Sequence, residues 1–124
     1  MKQQTISTRD VARELARKYS TMTHDELDAL ENILIPMTFA KGKKILSVGE
    51  VCKNIYYIHT GLVRQYYVKN SKEVTEHLGV DGSICMSIQS LFEEIPTQQE
   101  VIALENTYIF AMPKKVLEQV ALHN

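Results

Sequence analysis

The stretch FAKGKKILSVGEVCKNIYYIHTGLVRQYYVKNSKEVTEHLGVDGSI, residues 39–84, decides the fold. Short apolar or alternating segments recur in it at steps of about ten residues, separated by turn-forming residues, the pattern of an all-β sandwich or barrel. The reading places strands at 37–39, 44–46, 55–59, 62–68 and 73–78. Lys41-Gly42-Lys43, Gly49-Glu50, Thr60-Gly61, Lys69-Asn70-Ser71-Lys72 and Asp81-Gly82 break them. Gly42, Gly49, Gly61 and Gly82 fall where a turn calls for positive φ. Within 62–68 the polar Arg64 and Gln65 interrupt strict alternation, so that strand is expected to change faces.

Working outward, the N-terminal side is helical. Ser7 with Asp10, and Val11, Leu15 and Tyr19 at four-residue spacing, predict a helix over 7–20. Thr23-His24-Asp25-Glu26 is a capping box, with Leu27, Leu30, Ile33 and Leu34 following on one face and Pro36 as the stop. These stripes are expected to face the core. On the C-terminal side, strands over 100–104 and 107–112 flank Glu105-Asn106. Pro113 then opens a closing helix over 113–122, with Val116, Leu117 and Val120 inward. The order is helix, helix, β-roll, helix: a helical extension over 1–20, then the roll with its closing helix over 21–124.

Composition narrows the function. The chain has 124 residues, 44% of them apolar and 23% charged, which suits one globular domain and argues against disorder. A net charge of −1 gives no basic footprint for nucleic acid. Polar residues interrupt every apolar stretch, so no membrane span is expected. The N-terminus lacks the apolar core of a signal peptide, which points to the cytoplasm.

Few residues carry chemistry. The histidines His24, His59, His77 and His123 form no His-x-His pair, as a metal-binding β-barrel of the cupin type would need. His77 stands beside Glu76, yet neighbours on a strand point to opposite faces. Cys52 and Cys85 are two thiols 33 positions apart, too few for an iron–sulfur cluster. Glu93-Glu94 reads as a solvated helix end, and no phosphate-binding glycine loop or nucleophile elbow occurs. No enzyme and no metal site are expected.

The same 39–84 stretch, in the order and spacing of its glycines, resembles the cyclic nucleotide-binding domain of the CRP/FNR family of bacterial transcription regulators. Phe39-Ala40-Lys41-Gly42 is similar to the entry into the roll, and Gly49-Glu50 to its second turn. Ile55-Tyr56-Tyr57-Ile58 with Gly61-Leu62-Val63-Arg64 resembles the central hairpin, and Asp81-Gly82-Ser83 the turn into the ligand cassette. The resemblance covers residues 23–122. It implies a mainly β fold, a double-stranded β-helix (jelly roll) with flanking helices.

In that family a Gly-Glu pair opens a short helix on the cyclic phosphate, and an Arg some ten residues later pairs with it. Here Met86 and Ser87 stand at the Gly-Glu position, Thr97 at the Arg position, and no Arg or Lys lies between Gly82 and Met112. A buried phosphate without its partner costs roughly 3–5 kcal/mol, or about two to three decades of affinity. Neutral donors recover about 1 kcal/mol each. Ordinary cyclic nucleotide binding is therefore not expected, and no cofactor is.

The degenerate cassette is Gly82, Ser83, Met86, Ser87, Ile88, Thr97, Gln98 and Gln99. Two readings stay open for it: a changed, neutral polar ligand, or a pocket filled by Ile84, Met86 and Ile88. The resemblance also implies a homodimer in the full-length protein, a small-molecule effector, and DNA contact through a C-terminal helix-turn-helix outside these residues. The expectation is that the native protein continues past Asn124. The alternative is a stand-alone sensing or protein-interaction module with no DNA-binding role.

Overall fold

The computed structural model describes residues 6–19 and 22–123. Helices α1 (Thr8–Tyr19) and α2 (His24–Ile33) lead into strand β1 (Ile35–Phe39). Strands β2 (Lys44–Leu46), β3 (Asn54–Thr60), β4 (Leu62–Lys69), β5 (Lys72–Val80) and β6 (Ile84–Cys85) follow. A short helix α3 (Ile88–Glu93), strands β7 (Gln99–Ala103) and β8 (Thr107–Pro113), and helix α4 (Lys114–His123) complete the chain. Antiparallel pairing builds two four-stranded sheets, ordered β1-β8-β3-β6 and β2-β7-β4-β5.

Alternation on β3 and β8 divides the apolar interior in two. Tyr56, Ile58, Ile109 and Ala111 point between the sheets, where they meet Leu46, Val63, Leu91 and Val101. The intervening Tyr57, Phe110 and Met112 point to the other face and pack against Val11, Leu15 and Leu30 of the helices. Each strand residue thus reaches one of two cores by the period-two pleat alone. Arg9 of α1 ion-pairs with Asp28 and Glu31 of α2, and the Tyr57 hydroxyl donates to Glu14 at 2.7 Å. On the second sheet, Glu100 accepts from Lys44 Nζ, Tyr66 Oη and the Val48 amide, which joins β2, β7 and β4 and holds its carboxyl below the ordinary range.

The capping box at Thr23 forms as expected, Thr23 Oγ1 accepting from the Glu26 amide and Glu26 accepting from the Thr23 amide. Pro36 has a second role besides the expected stop. Helix α2 ends at Ile33, and Pro36 lies within β1, an edge strand that tolerates a missing N–H. The residue before a proline disfavours helical geometry, so the helix closes before reaching it. Pro113 likewise ends β8 instead of opening α4. Val116 is 37% exposed, so it does not face inward, whereas Leu117 packs on the helix-side core. Consecutive helical positions lie about 100° apart, and a narrow contact accepts only one of them. The inward positions expected at Tyr19 and Val120 fall outside the described side chains. None of the described helices is long and apolar enough to cross a membrane.

Two turns make the same demand for positive φ and meet it with different residues. Gly61 adopts φ +130°, and a Cβ there would lie 2.7 Å from the Thr107 Cα. The β4–β5 hairpin turns through Asn70 and Ser71, both at positive φ, the two-residue geometry that prefers glycine second. Gly61→Ala should therefore cost roughly 2–4 kcal/mol through strain and overpacking. Ser71→Gly should gain about 0.5–1 kcal/mol by relieving a left-handed side chain. Urea midpoints of the two variants against wild type check both signs.

Candidate functional site

The face change expected at Arg64 and Gln65 is a β-bulge that builds one wall of a cavity. Gln65 pairs with His77 and Tyr66 with Thr75, so Glu76 is the extra residue on β5. A bulge re-aims side chains. Glu76 and His77, expected on opposite faces, both line an open cavity of about 660 Å³. Gln65 and Tyr66 are consecutive yet both buried, which is the same distortion seen from β4.

The opposite wall is the segment from β6 into α3. Ile84 and Cys85 pair with Tyr57 and Tyr56 of β3, which anchors the wall to the first sheet. Beyond them Met86 packs on the inter-sheet core, and its carbonyl accepts from Gln65 Nε2 at 3.0 Å. Ser87 is buried at the start of α3. Its hydroxyl makes no cap to that helix and instead accepts from Thr97 Oγ1 at 2.8 Å. Thr97 is 2% exposed. Its backbone is held by the Gly49-Glu50 turn, the Thr97 amide donating to Glu50 O at 2.8 Å and the Gly49 amide to Thr97 O at 2.9 Å. Behind this pair, Ser90 Oγ accepts from the Cys52 amide at 2.8 Å and donates to Ile95 O.

The structure brings six of the eight cassette residues together. Met86, Ser87, Ile88, Thr97, Gln98 and Gln99 line the cavity. Gly82 and Ser83 do not: they shape the turn before β6, where Lys18 of α1 donates to Gly82 O at 2.7 Å and Ser83 Oγ bonds back to Val80. Ile88 does not fill the cavity either, since it is 64% exposed at its rim. Among the described lining residues Glu76 is the sole carboxylate, and none is a lysine or arginine. Gln99 Nε2 donates to Glu76 Oε1. No group of three or more metal-ligating side chains occurs among the described residues.

Sequence reading missed Gln65, Tyr67, Glu76 and His77 as lining residues. The one available signal was the break in alternation at Arg64-Gln65, which marks a bulge but not which neighbours it turns inward. Arg64, next to Gln65 on β4, lies over the Tyr66 ring and pairs with Glu73 at 2.7 Å; it is not among the lining residues.

An antiparallel β-roll with an open, small-molecule-sized cavity and a short helix on its rim has room to hold a ligand. The sequence profile of the cyclic nucleotide-binding domain matches residues 36–124, and the chain belongs to that family. Its fold is similar to that of the Thermus thermophilus catabolite activator protein (TM-score 0.72, 21% identity), covering 89% of this chain and 50% of that one. The sensor domain of the transcriptional regulator DNR from Pseudomonas aeruginosa is similar over 91% of this chain and 81% of its own, with 15% identity and a TM-score of 0.78. The regulatory subunit of a cAMP-independent protein kinase A from Trypanosoma cruzi, bound to guanosine, is similar over 92% of this chain and 41% of its own (18% identity, TM-score 0.76). The chain thus spans about half the length of the catabolite activator protein. No curated protein sequence matches it significantly.

Both thiols lie in the inter-sheet core. Burial, with a smaller contribution from Cys52, pushes the Cys85 thiol up to about 12. An unfolded cysteine loses its proton near pH 8.5, so above that pH the unfolded state holds fewer protons than the native one and stability falls. The loss from this group should run from about pH 9 to 12 at up to about 1.4 kcal/mol per pH unit. Urea unfolding across that range should show a shallower decline for Cys85→Ala than for wild type.

Proposed function

We propose that this chain is the ligand-sensing regulatory domain of a CRP/FNR-type transcription regulator, with a cavity suited to a ligand that carries no phosphate. The observation that carries this reading is the Ser87–Thr97 hydrogen bond. Thr97 takes the position of the phosphate-pairing arginine and spends its hydroxyl on Ser87, at the position of the family glutamate. Among the described lining residues a phosphodiester would meet no lysine or arginine, and Glu76 places a carboxylate on the same wall. That is a deficit of roughly 3–5 kcal/mol. A regulatory subunit of the same fold bound to guanosine supports a roll that holds a nucleoside without its phosphate.

The role is regulatory and non-enzymatic, in a cytoplasmic homodimer. The ligand biases DNA contact, made by a helix-turn-helix of the longer protein, through its differential affinity for two states. Likeness to the sensor domain of a transcriptional regulator supports this over a stand-alone module.

Thermal melts with cyclic AMP and cyclic GMP at millimolar concentration test the reading. A ligand at 100-fold over its Kd adds about 2.7 kcal/mol, or several degrees for a domain of this size. No shift is expected with either nucleotide. A shift of several degrees with one of them would overturn the phosphate-free reading.

A further inference from the structure

The geometry points to a second binding site, a cleft where α3, the start of β3 and the start of α4 meet. Its ligand is a small organic acid: a ring-sized apolar body with one anionic head. This cleft shares no lining residue with the roll cavity, so the inference stands apart from any ligand of that cavity.

The cleft has a volume of about 290 Å³. Half of its lining is apolar, formed by Val51, Leu91, Pro113 and the buried Cys52. The other half is charged, with Lys53, Lys114 and Lys115 against the single carboxylate of Glu94. Backbone geometry holds the lysines in one place. The Lys114 amide donates to the Lys53 carbonyl at 3.0 Å, which pins the start of α4 to the residue before β3.

This positive charge is poorly answered within the chain. Lys114 Nζ is engaged, 3.1 Å from Glu118 and 5.2 Å from the centre of the Phe92 ring. Lys115 reaches Glu94 only at 3.6 Å, and both side chains are largely exposed, so that contact is worth little. Lys53 makes no ion pair among the described residues. Helix α4 also opens on two lysines and has no acidic residue in its first turn, where the helix dipole favours acids. Local preference and fold are thus in conflict here, and an anion between Lys53 and Lys115 relieves the conflict.

Charge and apolar surface together define the ligand. A bare inorganic anion would answer the lysines and leave Val51, Leu91 and Pro113 uncovered. A neutral apolar molecule would do the reverse. An apolar cavity of about 150 Å³ takes a benzene ring, so this cleft has room for a ring with a short acidic arm.

Phenylacetate is the probe, titrated into the full chain at low ionic strength and followed by NMR amide shifts. Saturable shifts are expected at Lys53, Leu91 and Lys115, with Gln65 and His77 of the roll cavity unmoved. Phenylacetamide, its neutral counterpart, should bind about tenfold more weakly, and inorganic phosphate should give no saturable shift. Lys53→Gln and Lys115→Gln should each weaken phenylacetate about threefold. Glu94→Gln, which releases Lys115, should tighten it by a similar factor. All three side chains are exposed, so the ligand-free melting temperatures should match wild type. Absence of saturation, shifts confined to the roll cavity, or variants that bind as wild type does would overturn the site. Equal binding of phenylacetamide would overturn the anionic head, and equal binding of phosphate the apolar body.

Discussion

Strands β3 and β8 lie side by side with both of their faces buried, and most of the molecule follows from that constraint. A strand buried on one face needs apolar residues at every second position, whereas these two need them at nearly every position. Tyr56-Tyr57-Ile58 and Ile109-Phe110-Ala111-Met112 meet the demand, odd and even positions serving different cores. The helices are not accessories in this arrangement. Without α1 and α2, Tyr57, Phe110 and Met112 would face water. Large buried side chains such as these contribute about 1.5–3 kcal/mol each.

The cavity wall hangs from the same pair. β6 is only two residues long and pairs with β3 alone, so its position is inherited. Thr97 is placed by backbone bonds to the Gly49-Glu50 turn, and the buried Ser87–Thr97 contact then ties the two sides of the cavity floor. An unpaired charge at either position would need a counter-charge to be tolerated in burial. The neutral pair is satisfied without one, so the fold is indifferent to whether a phosphate is present.

Much of the roll was legible because its signals are local and repeated. Gly61, Asn70-Ser71 and Gly82 mark turns, and short apolar or alternating segments between them locate β3, β4, β5 and β8 to within a residue or two. The elements that escaped, β6 and α3, span two and six residues, too short for any periodicity to show. Pro36 was legible as a helix stop but not as part of an edge strand, because only the sheet order shows that strand. At the cavity, Thr97 and Ser87 were readable by their places in a familiar order. Glu76 and His77 were not, because alternation is a rule about regular strands and the bulge suspends it.

Ile84 belongs to two environments at once. The residue lines the cavity, and its side chain packs on the core shared with the helices. Two residues earlier, the carbonyl of Gly82 is held by Lys18 of α1. The cavity wall and the seat of the N-terminal helix are therefore two sides of one partition. That partition is a boundary the cavity shares with α1, through Ile84 and the Lys18–Gly82 hydrogen bond. The N-terminal helix is in this sense part of the cavity's lining, one layer back.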